Sequence, residues 1–370
     1  MKICIVVDNL YEHAGYGRLA RRIGKEVTSR GHEVTYVSEF SEDNDGVLTT
    51  KLKGFSFRNI SKFFSTLIDI RKFVQNKDII VCFDVKPYGI VVMLATLGMR
   101  KKKILYALGT YSLFSGKSTV KDFVMKIAFK SFDEVFIVSE FTKRKIEQYG
   151  FSVPNASIVP VGVDVVRFKR ANKPLPRVPL PYIVGVGGMK YRKGYHLSLR
   201  AFALIAREFP DLTYVIRAHR EKDSKNYFNS VKKIITDNNL QDRVIFIEDL
   251  DDDQLAQLYS FARFFILTPV STIQSIEGFG MVYLEAGSCG TPVIGTYDTG
   301  AEAAIINDYN GLLSNGNPDD IALAMEKMLA DKNLSDRLGR GGIKRSKEFA
   351  WSKIADMHIK HYEDLLRQKT

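Results

Sequence analysis

The residues best suited to chemistry lie in one stretch of the chain. Residues 277–292 read Glu-Gly-Phe-Gly-Met-Val-Tyr-Leu-Glu-Ala-Gly-Ser-Cys-Gly-Thr-Pro, so Glu277 and Glu285 are separated by seven residues and a Gly-Phe-Gly turn follows the first carboxylate. If that turn leads directly into a helix, the free N–H groups and the positive end of the helix dipole form an anion site. A diphosphate could lie on this helix end, with Glu277 near the group at its far side and Glu285 near ribose hydroxyls. The spacing therefore predicts a site for a nucleotide sugar.

The alternative interpretation of the same stretch is a glycine turn followed by a buried helix with two incidental glutamates. An isolated pair of glutamates at this spacing would favour that alternative. Residues 289–292 (Cys-Gly-Thr-Pro) end the predicted helix, and an apolar strand begins at Val293. This order of turn, helix, helix end and strand favours the binding site.

The whole chain is long enough for two hydrophobic cores, since it has 370 residues. Its longest apolar run, near Ile90 to Leu97, is too short to cross a bilayer, and the segment after Met1 lacks the features of a signal peptide. Cys4, Cys82 and Cys289 lie in separate apolar segments, as is typical of buried thiols in a reducing compartment. We therefore expect a cytoplasmic protein.

Two stretches of strands alternating with helices follow one another along the chain. In the first, an apolar strand (2–10), a Gly-Tyr-Gly loop (15–17), a helix (19–29) and a second strand (33–38) form a β-loop-α-β unit, and further strands are predicted at 79–83, 104–108 and 134–138. The proline-rich stretch 173–181 is the natural linker. Beyond it, strands are predicted at 182–187, 213–218, 244–247, 264–268 and 293–295. The sequence therefore predicts two Rossmann-like domains of the α/β class, with the ligand crevice between the carboxyl ends of their sheets.

The stretch 277–292 resembles the signature of retaining glycosyltransferases of family 4, which have the GT-B fold. The resemblance implies two doubly wound, Rossmann-like domains that face each other across a cleft. It assigns residues 1–172 to an acceptor-binding domain, to which a C-terminal crossing helix at about 351–370 would return, and residues 181–350 to a nucleotide-sugar-binding domain. Glu277 would contact the transferred sugar, and Glu285 would bind ribose.

A second cluster of expected site residues follows the strand at 182–187. Residues 186–194 read Val-Gly-Gly-Met-Lys-Tyr-Arg-Lys-Gly and resemble the family's G-R-L-x-x-x-K-G motif, in which Lys193 and Gly194 match position for position. Cations placed here stabilise a departing diphosphate. The family's usual arginine falls on Gly188. Either Arg192 or Lys190 supplies the missing charge, or the leaving group is stabilised less. A merely solvated Arg-Lys pair at a turn is the alternative.

The full set of expected donor and acceptor residues combines the helix end described above with residues that the resemblance implies. The donor-binding set comprises Gly15, Gly17, Gly188, Gly278, Phe279, Gly280, Met281, Val282, Glu285, Asp249 and Leu250. His13, Tyr16 and Thr110 are weaker candidates for contact with the acceptor. Leu108 stands where many relatives carry a histidine facing the donor sugar, so no histidine role is expected there.

The run Asp251-Asp252-Asp253 suggests a metal site, because some sugar transferases chelate a divalent ion through Asp-x-Asp. It precedes a helix start, where carboxylates are favourable without a metal. We therefore expect helix capping, no essential metal and no cofactor beyond the donor substrate.

The net charge of +12 points to an anionic partner: nucleic acid, a phosphorylated substrate or an acidic membrane surface. No nucleic-acid recognition motif supports the first of these. Apolar residues between Ile60 and Val74 recur at helical spacing among lysines and arginines, which is typical either of a helix on anionic lipid or of a core helix with a basic face.

Together with these features, the resemblance to family 4 implies a retaining, metal-independent hexosyltransferase. It would use GDP-mannose or a UDP-hexose and a saccharide acceptor, expected to be lipid-linked, in the synthesis of cell-envelope polysaccharide such as lipopolysaccharide. It would work in the cytoplasm, with peripheral contact at the inner face of the membrane. The alternatives are a non-catalytic nucleotide-sugar or carbohydrate binder of the same fold and a nicotinamide-dependent oxidoreductase, although no G-x-G-x-x-G follows either opening strand.

Overall fold

The computed structural model describes residues 1–11, 15–41, 47–49, 60–109, 119–219, 224–272 and 275–368. The chain forms two compact units, the first made of Met1–Gly162 with Trp351–Thr370 and the second of Val163–Ala350. Each unit has its own parallel sheet, and helices connect most of its successive strands. The predicted α/β class with two Rossmann-like domains is therefore confirmed.

The first unit is built on a parallel sheet with the strand order β3-β2-β1-β4-β5-β6-β7. Its strands are β1 Lys2–Val6, β2 Glu33–Ser38, β3 Val47–Thr49, β4 Ile79–Phe83, β5 Lys102–Ala107, β6 Glu134–Ile137 and β7 Ala156–Ile158. Its helices before the second unit are α1 Gly15–Ser29, α2 Ile60–Phe73, α3 Ile90–Ala95, α4 Thr119–Lys130 and α5 Glu140–Gln148. A π-helical turn, Val85–Gly89, precedes α3.

The second unit is built on a parallel sheet with the strand order β10-β9-β8-β11-β12-β13. Its strands are β8 Tyr182–Val186, β9 Thr213–Arg217, β10 Val244–Ile247, β11 Phe265–Ile266, β12 Val293–Thr296 and β13 Gly311–Ser314. Its helices are α6 Tyr195–Ile205, α7 Lys225–Asp237, α8 Asp252–Ser260, α9 Met281–Ser288, α10 Ala301–Ala304, α11 Pro318–Ala330 and α12 Lys332–Glu348. The chain direction across the sheet reverses between β8 and β11, and ligands of such sheets bind at the carboxyl edge of this point.

The composition of the central strands explains why both sheets are covered by helices on both faces. β4 (Ile-Ile-Val-Cys-Phe) and β8 (Tyr-Ile-Val-Gly-Val) are buried at every position. Parallel strands buried on both faces are continuous apolar runs, in contrast to the alternating pattern of a sheet that has one face in water. Each helix that packs on a sheet buries one apolar side. In α1 this side consists of Leu19, Ile23 and Val27, at a spacing of four residues.

The last helix, α13 (Trp351–Arg367), belongs to the first unit. It buries His358, which lies against the rings of Tyr106 and Phe136 at centroid distances of 5.4 and 5.1 Å. Burial lowers the pKa of His358 to about 3, so this imidazole is neutral at physiological pH. Arg30 of α1 adds an ion pair to Asp356 with an Nε–Oδ1 distance of 2.8 Å.

The division between the units differs from the proline-rich linker that the sequence suggested. It falls between Gly162 and Val163, and residues 163–180 pack with the second unit. Phe168, for example, is buried against the ring of Tyr259. The proline-rich stretch 173–181 therefore lies within the second unit and leads into β8.

Close packing of glycines fixes α9 against α12. A Cβ atom on Gly342 would lie 2.9 Å from the Cα of Gly287, and one on Gly341 would lie 1.9 Å from the carbonyl oxygen of Tyr309. The Oγ of Ser346 also donates a hydrogen bond of 2.8 Å to the carbonyl oxygen of Leu284. The contacts of Gly342 and Ser346 set the position of α9, and the contact of Gly341 holds α12 against the segment before β13.

We expect Gly341→Ala to destabilise the protein by about 1–3 kcal/mol, because the new methyl group overlaps a carbonyl oxygen of the neighbouring backbone. Urea unfolding of the variant measures this loss. Gly15→Ala is the matched control, since its Cβ atom would meet nothing within 4 Å; it is expected to be neutral or slightly stabilising. Equal midpoints for the two variants would contradict this account of the packing.

The three cysteines are buried, and the described helices are not of the kind that crosses a membrane. Cys4, Cys82 and Cys289 are buried free thiols, as predicted, and burial raises the pKa of Cys4 and of Cys289 to about 12. Within the described residues, none of the helices has the length and apolar content needed to cross a bilayer.

Candidate functional site

The predicted cation loop leaves the central strand β8 at the carboxyl edge of the second sheet. After Gly187 and Gly188, a short 3-10 turn (Tyr191–Lys193) ends at Gly194, which has φ 72° and opens α6. A side chain at Gly194 is excluded, because its Cβ atom would lie 1.6 Å from the carbonyl oxygen of Thr268. The Oγ1 of Thr268 in turn donates a hydrogen bond of 2.8 Å to the carbonyl oxygen of Gly194. The end of the β11 segment thus holds the turn that carries Lys193.

Lys193, Arg192 and Glu277 form one buried charge cluster. The Nζ of Lys193 lies 2.8 Å from the Oε2 of Glu277, and the Nη1 of Arg192 donates to the same oxygen. Lys193 and Glu277 are each 8% exposed. Two cations share one carboxylate, so the cluster carries an excess positive charge that can attract an anion. The structure therefore brings together the three residues that were predicted to be catalytic.

The charge state of Glu277 follows from its two partners. Burial alone would raise its pKa, but the charges of Lys193 and Arg192, together with their hydrogen bonds, outweigh burial and lower the pKa to about 2. Burial also lowers the pKa of Lys193, an effect that Glu277 opposes. At neutral pH Glu277 is a carboxylate and has no proton to donate. It can accept hydrogen bonds and stabilise positive charge.

This pKa shift predicts a specific dependence of stability on pH. The folded-state pKa of Glu277 lies below the usual value of 4.5, so the ionised side chain stabilises the folded state above about pH 4.5, and this contribution is lost as the pH falls towards 2. The difference in unfolding free energy between the wild type and Glu277→Gln should therefore be largest at neutral pH and shrink below about pH 4.5. Urea unfolding at a series of pH values tests this, and a difference that stays constant down to pH 3, about 1.5 units below the usual value, would contradict it.

The Gly-Phe-Gly turn leads directly into a helix, as the anion-site hypothesis requires. Gly280 has φ 83° and caps α9, whose first residues are Met281 and Val282. Phe279 is 5% exposed and packs on Phe349 at a centroid distance of 5.4 Å. The first-turn N–H groups of a helix have no intrahelical carbonyl partner, so this end can bind an anion.

The backbone of the turn is held by the segment that follows β12. The N–H of Gly300 donates a hydrogen bond of 2.9 Å to the carbonyl oxygen of Glu277. A Cβ atom on Gly300 would lie 2.3 Å from the carbonyl carbon of Gly278. The cluster and the helix end are therefore positioned by successive strands at one edge of the sheet.

Glu285 lies on the second turn of α9 and is 9% exposed. Its Oε2 accepts a hydrogen bond of 3.1 Å from the hydroxyl of Tyr259 in α8. Tyr259 is fully buried, and burial, together with the charge of Glu285, raises its pKa well above the usual value. The phenol is therefore a stable donor that orients the carboxylate. Contact of Glu285 with ribose remains a prediction.

The other predicted donor residues of the second unit lie at two places on the same edge. Gly188 is part of the loop after β8, and its carbonyl oxygen accepts a hydrogen bond of 2.8 Å from the N–H of Lys190. Asp249 and Leu250 follow β10, the edge strand, which β9 separates from β8. Of the two candidates for the charge missing at Gly188, Arg192 pairs with Glu277. Which of Arg192 and Lys190 takes the place of the arginine stays a prediction.

Predicted residues of the first unit lie around the start of α1. Gly15, Tyr16 and Gly17 form the first turn of the helix, whereas the sequence suggested a loop. Gly17 lies close to the segment after β1, because a Cβ atom there would lie 2.7 Å from the carbonyl oxygen of Asn9. His13 and Thr110 lie outside the described residues, so their roles remain predictions.

The acidic run before α8 caps that helix, as predicted. The Oδ1 of Asp251 accepts a hydrogen bond of 2.8 Å from the N–H of Gln254, and the side chain of Gln254 returns to the N–H of Asp251. Asp252 pairs with Arg167 at 2.6 Å. Within the part of the chain that the structure describes, no three His, Cys, Asp or Glu side chains are grouped so that they could hold a metal ion. Independence from metal remains a prediction.

Sequence reasoning missed several residues at the carboxyl edges of the two sheets. Arg217 ends β9 beside Gly187, and its buried Nε has no hydrogen-bond partner among the described residues. An arginine at the end of the apolar run Tyr-Val-Ile was the available signal. In the first unit, Asp8, Glu39 and Asp84 follow the adjacent strands β1, β2 and β4. Each is a carboxylate directly after an apolar strand, a signal that was present but was not used.

Comparison with known proteins gives matches along most of the chain. The family "Glycosyltransferase Family 4" matches residues 14–167, and the family "Glycosyl transferases group 1" matches residues 167–345. A D-inositol 3-phosphate glycosyltransferase of Pseudarthrobacter chlorophenolicus is 27% identical over 59% of this chain and 52% of its own length. The match thus spans about half the length of that relative. An uncharacterised glycosyltransferase of Methanocaldococcus jannaschii is 26% identical over 90% of both chains.

Among solved structures, Anabaena HepE in complex with UDP-glucose superimposes with a TM-score of 0.80. It is 17% identical to this chain, and the match covers 98% of this chain and all of the other. At this level of identity the likeness concerns the fold.

Proposed function

The chain belongs to the family 4 and group 1 glycosyltransferases, and we propose that it transfers a hexose from a nucleotide diphosphate sugar to a saccharide acceptor with retention of configuration. Its fold is the GT-B fold of these enzymes. The observation that carries the proposal is the cluster of Lys193, Arg192 and Glu277 at the carboxyl edge of the second sheet.

The cluster divides the work between binding and charge stabilisation. In the proposal, Lys193 and Arg192 hold the diphosphate, together with the N–H groups between Phe279 and Met281. The negative charge that develops on the leaving diphosphate is then stabilised by fixed cations and backbone donors in a site with little water. These groups do the work that a divalent ion would otherwise do, so the reaction is proposed to be metal-independent.

Glu277 acts at the transferred sugar. Because its pKa is about 2, it stays ionised and can stabilise positive charge at C1 while accepting hydrogen bonds from sugar hydroxyls. The bond between C1 and the diphosphate oxygen breaks, and the acceptor oxygen forms a bond to C1 on the same face. The acceptor proton passes to the departing diphosphate oxygen, so no strong enzyme base is needed. Glu285, oriented by Tyr259, would bind the ribose.

The choice of acceptor depends on the first unit, which carries most of the excess charge. Its residues include 29 lysines and arginines against 19 aspartates and glutamates, whereas the second unit is nearly balanced, with 25 against 23. Such a surface suits a phosphorylated acceptor, and inositol 3-phosphate in the name of one relative has that chemistry. We propose a phosphate-bearing, lipid-linked acceptor used in cell-envelope polysaccharide synthesis at the cytoplasmic face of the membrane.

Thermal stabilisation of the purified protein tests the donor site. GDP- and UDP-sugars, GDP, UDP and NADH are added in the presence of a chelator, and preferential binding to the folded state raises the melting temperature. We expect a shift with one nucleotide family that is lost in Lys193→Ala and kept in Lys225→Ala, an exposed lysine on α7. A shift with NADH alone, or no shift at all, would contradict the proposal.

A further inference from the structure

Three neighbouring helices of the first unit expose apolar side chains on the same side of the sheet. Because α2, α3 and α4 are the successive right-handed connections into β4, β5 and β6, they cover one face of it, and α3 contacts both of the others. The exposed residues are Phe64 and Ile68 of α2, Leu94 and Leu97 at the end of α3, and Phe123 and Ile127 of α4. Phe64, Leu97 and Phe123 are 57%, 72% and 64% exposed. Single exposed apolar residues are ordinary, but a group on adjacent helices marks an interaction surface.

Cations accompany the apolar residues on each helix. Lys72 follows Ile68 on α2, Arg100 follows Leu97, and Lys130 follows Ile127 on α4. All three cations are exposed, and none of them makes an ion pair with any residue that the structure describes. The three helices run in the same direction, since each leads into a parallel strand, so the cations lie on one side of the apolar residues.

The helix α2 is joined to the end of α3, which keeps the surface together. The Nη1 of Arg71 donates hydrogen bonds of 3.1 and 2.8 Å to the carbonyl oxygens of Ala95 and Leu97. On α2 and α4 the exposed pairs Phe64–Ile68 and Phe123–Ile127 are four residues apart, so each pair lies on one side of its helix. The exposed apolar side chains therefore lie on adjacent helices that cover one face of the sheet.

We propose that this face docks the protein on a lipid leaflet that contains anionic lipid. Exposed phenylalanine and leucine side chains beside unpaired lysine and arginine match the two components of interfacial binding, apolar insertion and attraction to anionic headgroups. The charge of the first unit, 29 basic against 19 acidic residues, favours a lipid surface over an apolar protein partner. The inference deepens the proposed function, because a lipid-linked acceptor would be met at this surface. Docking itself can be measured without turnover.

Sedimentation of the full chain with vesicles tests the docking surface. Vesicles of phosphatidylcholine alone are compared with vesicles that also contain phosphatidylglycerol. We expect binding to the anionic vesicles that falls about tenfold in Phe64→Ser and in Phe123→Ser, and about fivefold in Lys72→Glu. The matched controls lie in the second unit: Leu323→Ser, at a site 60% exposed, and Lys225→Glu. Both controls should bind like the wild type.

The outcomes separate this inference from the proposed function. Absence of vesicle binding, or equal losses in the controls and the surface variants, would overturn the docking surface. If the protein does not bind vesicles but self-associates, and Phe64→Ser abolishes the self-association, the surface binds a second copy of the chain and the lipid proposal is overturned. The surface variants should retain the thermal shift with donor, so a failure to dock leaves the donor site standing. Vesicle binding without any donor shift would instead leave the docking surface standing and contradict the transferase.

Discussion

Glu277→Gln is expected to lower the rate of sugar transfer by about 10²–10³-fold while the affinity for the nucleoside diphosphate is kept or increased. The substitution preserves the shape of the side chain and removes its charge. Lys193 and Arg192 then have no carboxylate to pair with and are fully available to the diphosphate. Transfer falls because positive charge at C1 is no longer stabilised. Calorimetric titration with the diphosphate and steady-state rates measure the two effects separately.

Folding must be controlled in this experiment, because removing one member of a buried ion pair costs about 3–5 kcal/mol. The melting temperature of Glu277→Gln should therefore fall and be partly restored by the nucleotide, which replaces the missing anion. Glu285→Gln is the matched control within the same helix region. It should weaken nucleotide binding more than it slows transfer. A Glu277→Gln variant that transfers sugar at the wild-type rate would contradict the assigned role.

Lys193→Ala is expected to weaken binding of the nucleotide diphosphate and to lower kcat/KM by about 10²–10³-fold. Its ammonium group is buried beside Glu277, where an attraction to phosphate is screened little by water. The variant should fold, since Arg192 still pairs with Glu277. Arg192→Ala should have a smaller effect, because the side chain of Arg192 is 22% exposed against 10% for Lys193.

A double-mutant cycle separates the contributions of the cluster. Lys193 and Glu277 are in contact, so their effects on the rate should not be additive. Lys225→Ala, an exposed site on α7, is the comparison for general loss of positive charge, and Lys190→Ala tests the second candidate for the charge missing at Gly188. If Lys190→Ala weakens donor binding as much as Lys193→Ala does, positive charge near the loop determines donor binding, and the position of Lys193 does not.

Much of the fold could be predicted from the sequence because its strands are apolar runs with clear ends. The strands at 33–38, 79–83 and 244–247 have the predicted bounds. The short strands β3, β7 and β13 were missed, since three or four residues give no usable periodicity. The linker was placed at the prolines, whereas tertiary packing of residues such as Phe168 moves the division between the units to Gly162.

The candidate site was predictable in its residue types and less so in its contacts. The motif around Lys193 and the spacing of Glu277 and Glu285 identified the groups, but their resemblance to a family gave no distances. Arg192 and Lys193 contact the same oxygen of Glu277, although they precede Glu277 by 85 and 84 positions in the sequence. Only the strand order β8-β11-β12 brings them together. Tyr259 and Arg217 belong to no recognisable motif. Their positions depend on the arrangement of α8 and β9 in the folded second unit.

The central claim is that the cluster of Lys193, Arg192 and Glu277 catalyses the departure of a nucleoside diphosphate. The most direct test is the release of free diphosphate from the donor that gives the thermal shift, with water or a lipid extract as acceptor, by the wild type and Glu277→Gln. The account predicts steady release by the wild type and an α-configured product from an α-configured donor. Glu277→Gln should bind the donor but release diphosphate about 10²–10³-fold more slowly. Donor binding without release by the wild type would contradict catalysis and indicate a binding protein of the same fold.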